Sequence, residues 1–172
     1  LIITADADGQ HLPEDILAVA REGLASGGAL VAPEGLVIAA ALPREDPHDA
    51  LILRVPQPSV VGTGSPRRIA QLRRLFPAAR FDPIRGNVDT RLRKLDDGAV
   101  DALVLACAGL RRLGFEGRIS RPLAVTQCVP APGQGIIAIE TRSADADLMA
   151  ALARLNDAAA RSALAAEQAV VT

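Results

Sequence analysis

The sequence predicts an α/β fold: a mostly parallel sheet with flanking helices, accompanied by incomplete pieces of neighbouring domains. Two observations lead there. Short apolar runs of strand length recur near 50–53, 59–63, 80–84 and 101–106. Helical patterns near 66–76, 87–96 and 107–114 alternate with them. That alternation favours parallel strands joined by right-handed crossovers.

In chain order, residues 1–27 read as a strand, an acidic turn and a helix over 12–24. One strand is expected at 36–42. Residues 47–129 form the best-defined unit. Within it, Val60-Val61 leads into Gly62-Thr63-Gly64-Ser65, then Pro66 at a first helical position with Ser65 as its cap. Asn87 is a second candidate cap, and Asp97-Gly98 is a natural helix stop. Pro130-Ala131-Pro132-Gly133-Gln134-Gly135 is a hinge, followed by a strand at 136–140. Residues 144–171 read as alanine-rich helix, broken or re-capped near Asn156-Asp157.

The chemistry is carried by arginine. Arg67 and Arg68 ride on the first turn after the glycine-punctuated loop, Arg85 and Arg91 flank the next strand-to-helix turn, and Arg111 and Arg112 follow the run 102–106. Residues 61–120 hold twelve Lys or Arg against six Asp or Glu, a net of +6 in a chain whose total is −1. Helix N-termini attract anions, and guanidinium forks match carboxylate or phosphate. In open α/β sheets, ligands bind where parallel strands give way to helices. Three such turns aim cations at one crevice, and an anionic ligand is expected there.

Composition narrows the class. Of the 172 residues nearly half are hydrophobic, but the only aromatics are three Phe, so the core must be Leu, Val, Ile and Ala. No apolar run approaches membrane-spanning length, and no basic segment precedes one, so a cytoplasmic location is expected. Cys107 and Cys128 lack metal-site spacing and read as small hydrophobes. His11 and His48 are expected at the surface.

Four ordered motifs resemble the porphobilinogen deaminase (hydroxymethylbilane synthase) family: residues 61–68, Arg85-Gly86-Asn87-Val88-Asp89-Thr90-Arg91-Leu92, residues 108–114, and residues 130–135. Pro33-Glu34-Gly35-Leu36 and Arg44-Glu45-Asp46-Pro47-His48-Asp49-Ala50-Leu51 fit as well, so the similarity spans about 31–171. The resemblance implies a transferase of tetrapyrrole and haem biosynthesis that joins four porphobilinogens with release of ammonia. It also implies a dipyrromethane cofactor on a cysteine and a periplasmic-binding-protein-like lobe. Each pyrrole carries an acetate and a propionate. By resemblance, Thr63, Ser65, Arg67, Arg68, Arg85, Arg91 and Arg112 hold the carboxylates of cofactor and growing chain, while Arg111 is expected to be solvated. The implied partners are porphobilinogen and the growing polypyrrole, with no nucleic acid and no membrane. The family is usually monomeric.

The departures from the family are specific. Gly64 replaces a usual serine, removing a hydroxyl donor, and Pro66 a usual leucine; His48 stands where arginine is common; the connection between Leu53 and Ser59 is shorter than usual. The family's catalytic aspartate segment has no counterpart in residues 25–32, so no catalytic residue is assigned. The family's cofactor cysteine lies in a Gly-Gly-Cys turn that these residues do not contain. By resemblance, 28–46 and 133–150 belong to a partial first domain, 47–132 to the second and 151–172 to the start of the third. The expectation is an inactive fragment. Its strands at 36–42 and 136–140 would expose apolar faces and favour association.

Residues 1–27 tell another story. Asp6-Ala7-Asp8-Gly9-Gln10-His11 resembles the Asp-x-Asp segment of family-2 glycosyltransferases, where carboxylates meet a divalent metal on a nucleotide sugar. Asp6 and Asp8 are therefore an alternative metal pair, although no metal is assigned. A nucleotide-sugar transferase fragment and a non-catalytic polycarboxylate-binding lobe are the alternatives to the deaminase.

Overall fold

The computed structural model describes the backbone of residues 2–4 and the whole of residues 34–170. The expectations for Asp6, Asp8, His11, the helix at 12–24 and residues 25–32 lie outside the described residues. In chain order the elements are β1 (Ile2–Thr4), β2 (Leu36–Ala41), β3 (Asp49–Leu53), β4 (Val60–Gly62), α1 (Pro66–Leu72), β5 (Arg80–Asp82), α2 (Val88–Asp96), β6 (Ala102–Ala106), α3 (Cys107–Arg112), β7 (Arg121–Pro122), β8 (Ala138–Arg142), α4 (Ala146–Ala153) and α5 (Ala158–Gln168). The chain divides into two units, one running from Asp46 to Gly135 and the other comprising what precedes and follows it.

The Asp46–Gly135 unit is a five-stranded sheet in the order β5-β4-β6-β3-β7. β4 is parallel to both β5 and β6, while β3 is antiparallel to β6 and to β7. The sheet is thus mixed, where a mostly parallel one was expected. The reason is the short link between β3 and β4, which spans only residues 54–59. A parallel pair needs a crossover of a dozen residues or more. The link instead closes on Asp101, whose carboxylate accepts from the Ser59 and Val60 amides, each at 3.1 Å, and pairs with Arg54.

Both faces of this sheet are covered, and alternate side chains divide between them. Ala50, Ile52, Leu103 and Leu105 pack with Val88, Leu92 and Leu95 of α2 and with Cys107 and Leu110 of α3. Leu51, Val61, Ala102 and Val104 pack with Leu72 of α1 and with Leu123 and Cys128. The central strands therefore read as continuous apolar runs, as doubly covered strands do.

The helices begin and end on local signals. Asn87 Oδ1 caps α2 by accepting from Thr90 N at 2.9 Å. At the other end Gly98, with φ +78°, closes a motif in which Gly98 N reaches Leu95 O and Ala99 N reaches Lys94 O. Gly114 ends α3 the same way, its N–H on Arg111 O and that of Phe115 on Leu110 O. The helix expected over 66–76 stops at Leu72. β5 ends before Pro83, which has no N–H to pair.

In the other unit β8 lies between β1, its parallel neighbour, and β2, its antiparallel neighbour, with a bulge at Ala39. Leu152 of α4 packs on Ala40 and Ile139, and Ala160 and Leu164 of α5 pack on Ala41, Ile136 and Ala138. Alternation along β2 and β8 places these helices on opposite faces. The apolar faces expected to be exposed are consequently buried at Ala40, Ala41, Ala138 and Ile139. The re-capping expected near 156–157 is present: Asp157 accepts from Ala160 N at 2.7 Å, and Asn156 Oδ1 accepts from Ala41 N at 3.0 Å.

Candidate functional site

Because β4, β5 and β6 are parallel, their carboxyl ends share one edge of the sheet, and α1, α2 and α3 begin there. β3 runs the opposite way. Its first residue, Asp49, pairs with Ala106 at the end of β6 and so arrives at the same edge. The connection out of β4 goes to β5 on one side, and the following strand, β6, lies on the other, which makes the β4–β6 boundary a topological switch point.

The first turn is built by Thr63 and Ser65. Thr63 is buried, and its Oγ1 accepts from Ser65 N at 3.3 Å. Ser65 Oγ accepts from Arg68 N at 3.5 Å and caps α1. Gly62 has no room for a side chain, because a Cβ there would lie 2.8 Å from Leu103 Cδ2. The next turn comes close: a Cβ on Gly64 would sit 3.4 Å from Ile84 O.

Arg67 and Arg68 converge on Asp49, which has no solvent exposure. Arg68 donates to Asp49 Oδ1 through Nε at 3.0 Å and Nη2 at 2.7 Å, and to Val104 O through Nη1 at 3.2 Å. Arg67 Nη1 lies 2.9 Å from Asp49 Oδ2 and also donates to Val129 O. Gln134 Nε2 adds a bond to Asp49 Oδ1 at 3.0 Å, and Cys128 Sγ donates to Oδ2 at 3.2 Å. Burial pushes the Asp49 carboxyl up, but the Arg68 and Arg67 guanidinia and their hydrogen bonds outweigh it and hold it below the usual carboxylate range.

Arg91, on the first turn of α2, donates through Nε to Gly86 O at 2.7 Å. Burial, and to a lesser extent the Arg68 charge, lower its proton affinity. Gly86 adopts φ +114°, a conformation that L side chains resist, and a Cβ would collide with Thr90. Arg85 is exposed, and its guanidinium has no hydrogen bond or ion pair among the described residues. Arg112 Nη2 donates to Gly135 O at 2.7 Å. Arg111, expected to be solvated, instead reaches Asp46 at 3.2 Å and Glu116 at 3.3 Å. His48, expected at the surface, is half-buried and pairs through Nδ1 with Asp46 at 2.7 Å.

Asp49, Gln134 and the donor role of Cys128 were not singled out by sequence reasoning. Asp49 left a signal, a lone carboxylate at the head of an apolar run. Gln134 stood inside the hinge motif. Cys128 behaves as a buried thiol, pushed up to about 11 by burial and by Asp49. Among the described residues no group of three or more His, Cys, Asp or Glu could hold a metal. No described helix is long and apolar enough to cross a membrane.

Comparison with known proteins supplies the context. Residues 29–150 match the family described as porphobilinogen deaminase, dipyromethane cofactor binding domain. The chain is 50% identical over 145 residues to a porphobilinogen deaminase of Chromobacterium violaceum, covering 80% of this chain and 47% of that protein. It is 49% identical over 142 residues to one of Nocardia farcinica, covering 78% and 41%. The chain thus spans less than half the length of these relatives. Among solved structures, a TRAP periplasmic solute binding protein from Desulfovibrio salexigens is similar at 14% identity and a TM-score of 0.38, covering 78% of this chain and 41% of that one.

Proposed function

The chain belongs to the porphobilinogen deaminase family, and from that premise we propose that its Asp46–Gly135 unit holds the carboxylates of a growing pyrrole chain. The whole protein would join four porphobilinogens head to tail with release of ammonia, as a hydroxymethylbilane synthase of tetrapyrrole biosynthesis. The dipyrromethane cofactor would supply the primer to which the first porphobilinogen is added. The donor set suits such a ligand: guanidinia gathered at a switch-point edge, facing a molecule with an acetate and a propionate on every ring. Arg67, Arg68, Arg85, Arg91 and Arg112 would contact carboxylates, while Thr63 and Ser65 shape the turn that presents them.

The observation that carries this reading is the placing of Arg67 and Arg68, two guanidinia on one buried carboxylate, at the edge where β4 and β6 end and α1 begins. Like charges are costly to assemble in a half-buried place unless an anion visits it. The test is titration of the polypeptide with uroporphyrin I, a polycarboxylate, at two salt concentrations. Arg91→Ala is expected to weaken binding by at least about tenfold, since a charge-assisted bond is worth roughly 1.5–3 kcal/mol. Arg85→Ala, more exposed, should cost less. Arg73→Ala, on the exposed far end of α1, should leave affinity unchanged. Equal losses from all three would reduce the site to diffuse charge attraction. Ammonia release from porphobilinogen is the separate assay for turnover.

A further inference from the structure

Asp49 is a buried charged group that the reading above leaves without a role. It stands at the start of β3, fully buried, and accepts from Arg67, Arg68, Gln134 and Cys128. Its two oxygens divide the arginines: Oδ1 takes Nε and Nη2 of Arg68, and Oδ2 takes Nη1 of Arg67. Each guanidinium has five N–H donors in a rigid fork. On Arg68, Nε is committed to Asp49, and one N–H each of Nη1 and Nη2 is committed to Val104 O and Asp49. One N–H on each terminal nitrogen remains. On Arg67, Nη1 is spent on Asp49 and Val129 O, one N–H of Nη2 reaches Gln134 Oε1 at 3.4 Å, and Nε and the other N–H of Nη2 remain. The Arg67 side chain is 25% exposed and that of Arg68 12%, so the free donors belong to groups anchored on one side and open on the other.

We propose that Asp49 is a positioning residue for the arginine site: its carboxylate locks the Arg67 and Arg68 guanidinia side by side, so that their remaining N–H donors meet a ligand carboxylate already aligned. This rests on the reading of the site given above. The carboxylate also cancels one of the two charges it gathers. Gln134 completes the lock, because it donates to Asp49 Oδ1 and accepts from Arg67 Nη2.

The proposal makes a prediction opposite in sign to simple electrostatics. Asp49→Asn raises the charge of the site by one unit. If Asp49 were only a buried counter-charge, a folded Asp49→Asn protein would bind uroporphyrin I more tightly and with a steeper loss on added salt. If it positions the forks, binding weakens by about tenfold despite the added charge, because the aligned donors are lost. Gln134→Leu leaves the charge unchanged and should weaken binding by about threefold. The measurement is fluorescence titration of the full 172-residue chain and each variant at low and high salt, with circular dichroism to establish folding. Unchanged or tighter binding by folded Asp49→Asn overturns the proposal. If that variant does not fold, unchanged binding by Gln134→Leu overturns it. Arg85→Ala and Arg91→Ala separate the two readings: insensitivity to those substitutions removes the arginine site and this proposal with it, whereas sensitivity to them with insensitivity to Asp49 and Gln134 removes this proposal alone.

Discussion

A single carboxylate organises the arginine edge. Asp49 has no contact with solvent, yet its carboxyl is held below the ordinary range: burial raises it, and Arg68 and Arg67 more than offset that. A depressed folded value means that Asp49 contributes stability above its unfolded value of about 3.9, which is lost as pH falls through the lower folded value. Thermal midpoints followed downward from neutral pH should drop below about pH 4, and Asp49→Asn should flatten that acid limb. The two cysteines offer an independent check. Burial is the main cause for both and pushes each thiol up to about 11, with Asp46 adding at Cys107 and Asp49 at Cys128. Both should resist iodoacetamide at neutral pH while the protein is folded, and react once it is unfolded in urea. Rapid labelling of Cys128 in the native protein would contradict its burial against Asp49.

At the scale of elements, the turns at the ends of helices do much of the specification. α2 has Asn87 as its cap, Asp89 in the first turn, Arg93 and Lys94 in the last, and Gly98 beyond it, so every signal agrees with the macrodipole. α3 lacks a side-chain cap and depends on burial of Cys107, Ala108 and Leu110 and on Gly114 at its end. Gly114 has φ +76° and nothing within 4 Å of where a Cβ would be. Gly114→Ala should therefore cost only the backbone penalty, about 1–2 kcal/mol, read as a lower urea midpoint. A loss much larger than that would mean a steric contact that the structure does not contain.

At the scale of the molecule, the Asp46–Gly135 unit should be most resistant where it is covered from all sides. β6 has neighbours on both edges, β4 and β3, and helices or loops on both faces. β7 is a two-residue edge strand with both residues exposed. Amide exchange should be slowest in β6 and β3 and much faster in β7 and β5. Equal protection across the five strands would mean that the sheet opens only by global unfolding.

The order of elements, the caps at Ser65 and Asn87, the stop at Asp97-Gly98 and the arginine-bearing turns were all legible in the sequence, because each depends on neighbours within a few residues. Family membership was legible for the same reason: its motifs are contiguous. Strand direction in the sheet was not, since β3 is antiparallel only because six residues cannot make a parallel crossover, and which strand it joins depends on β6, some fifty residues away. The commitments of the arginines were not legible either. Arg67 and Arg68 announce an anion site by their position after β4, but the anion that holds them comes from β3, and Gln134 comes from the hinge. Local backbone preferences decide where elements begin and end. Long-range pairing decides which charges meet, because a buried carboxylate is tolerable only where distant segments bring it its partners.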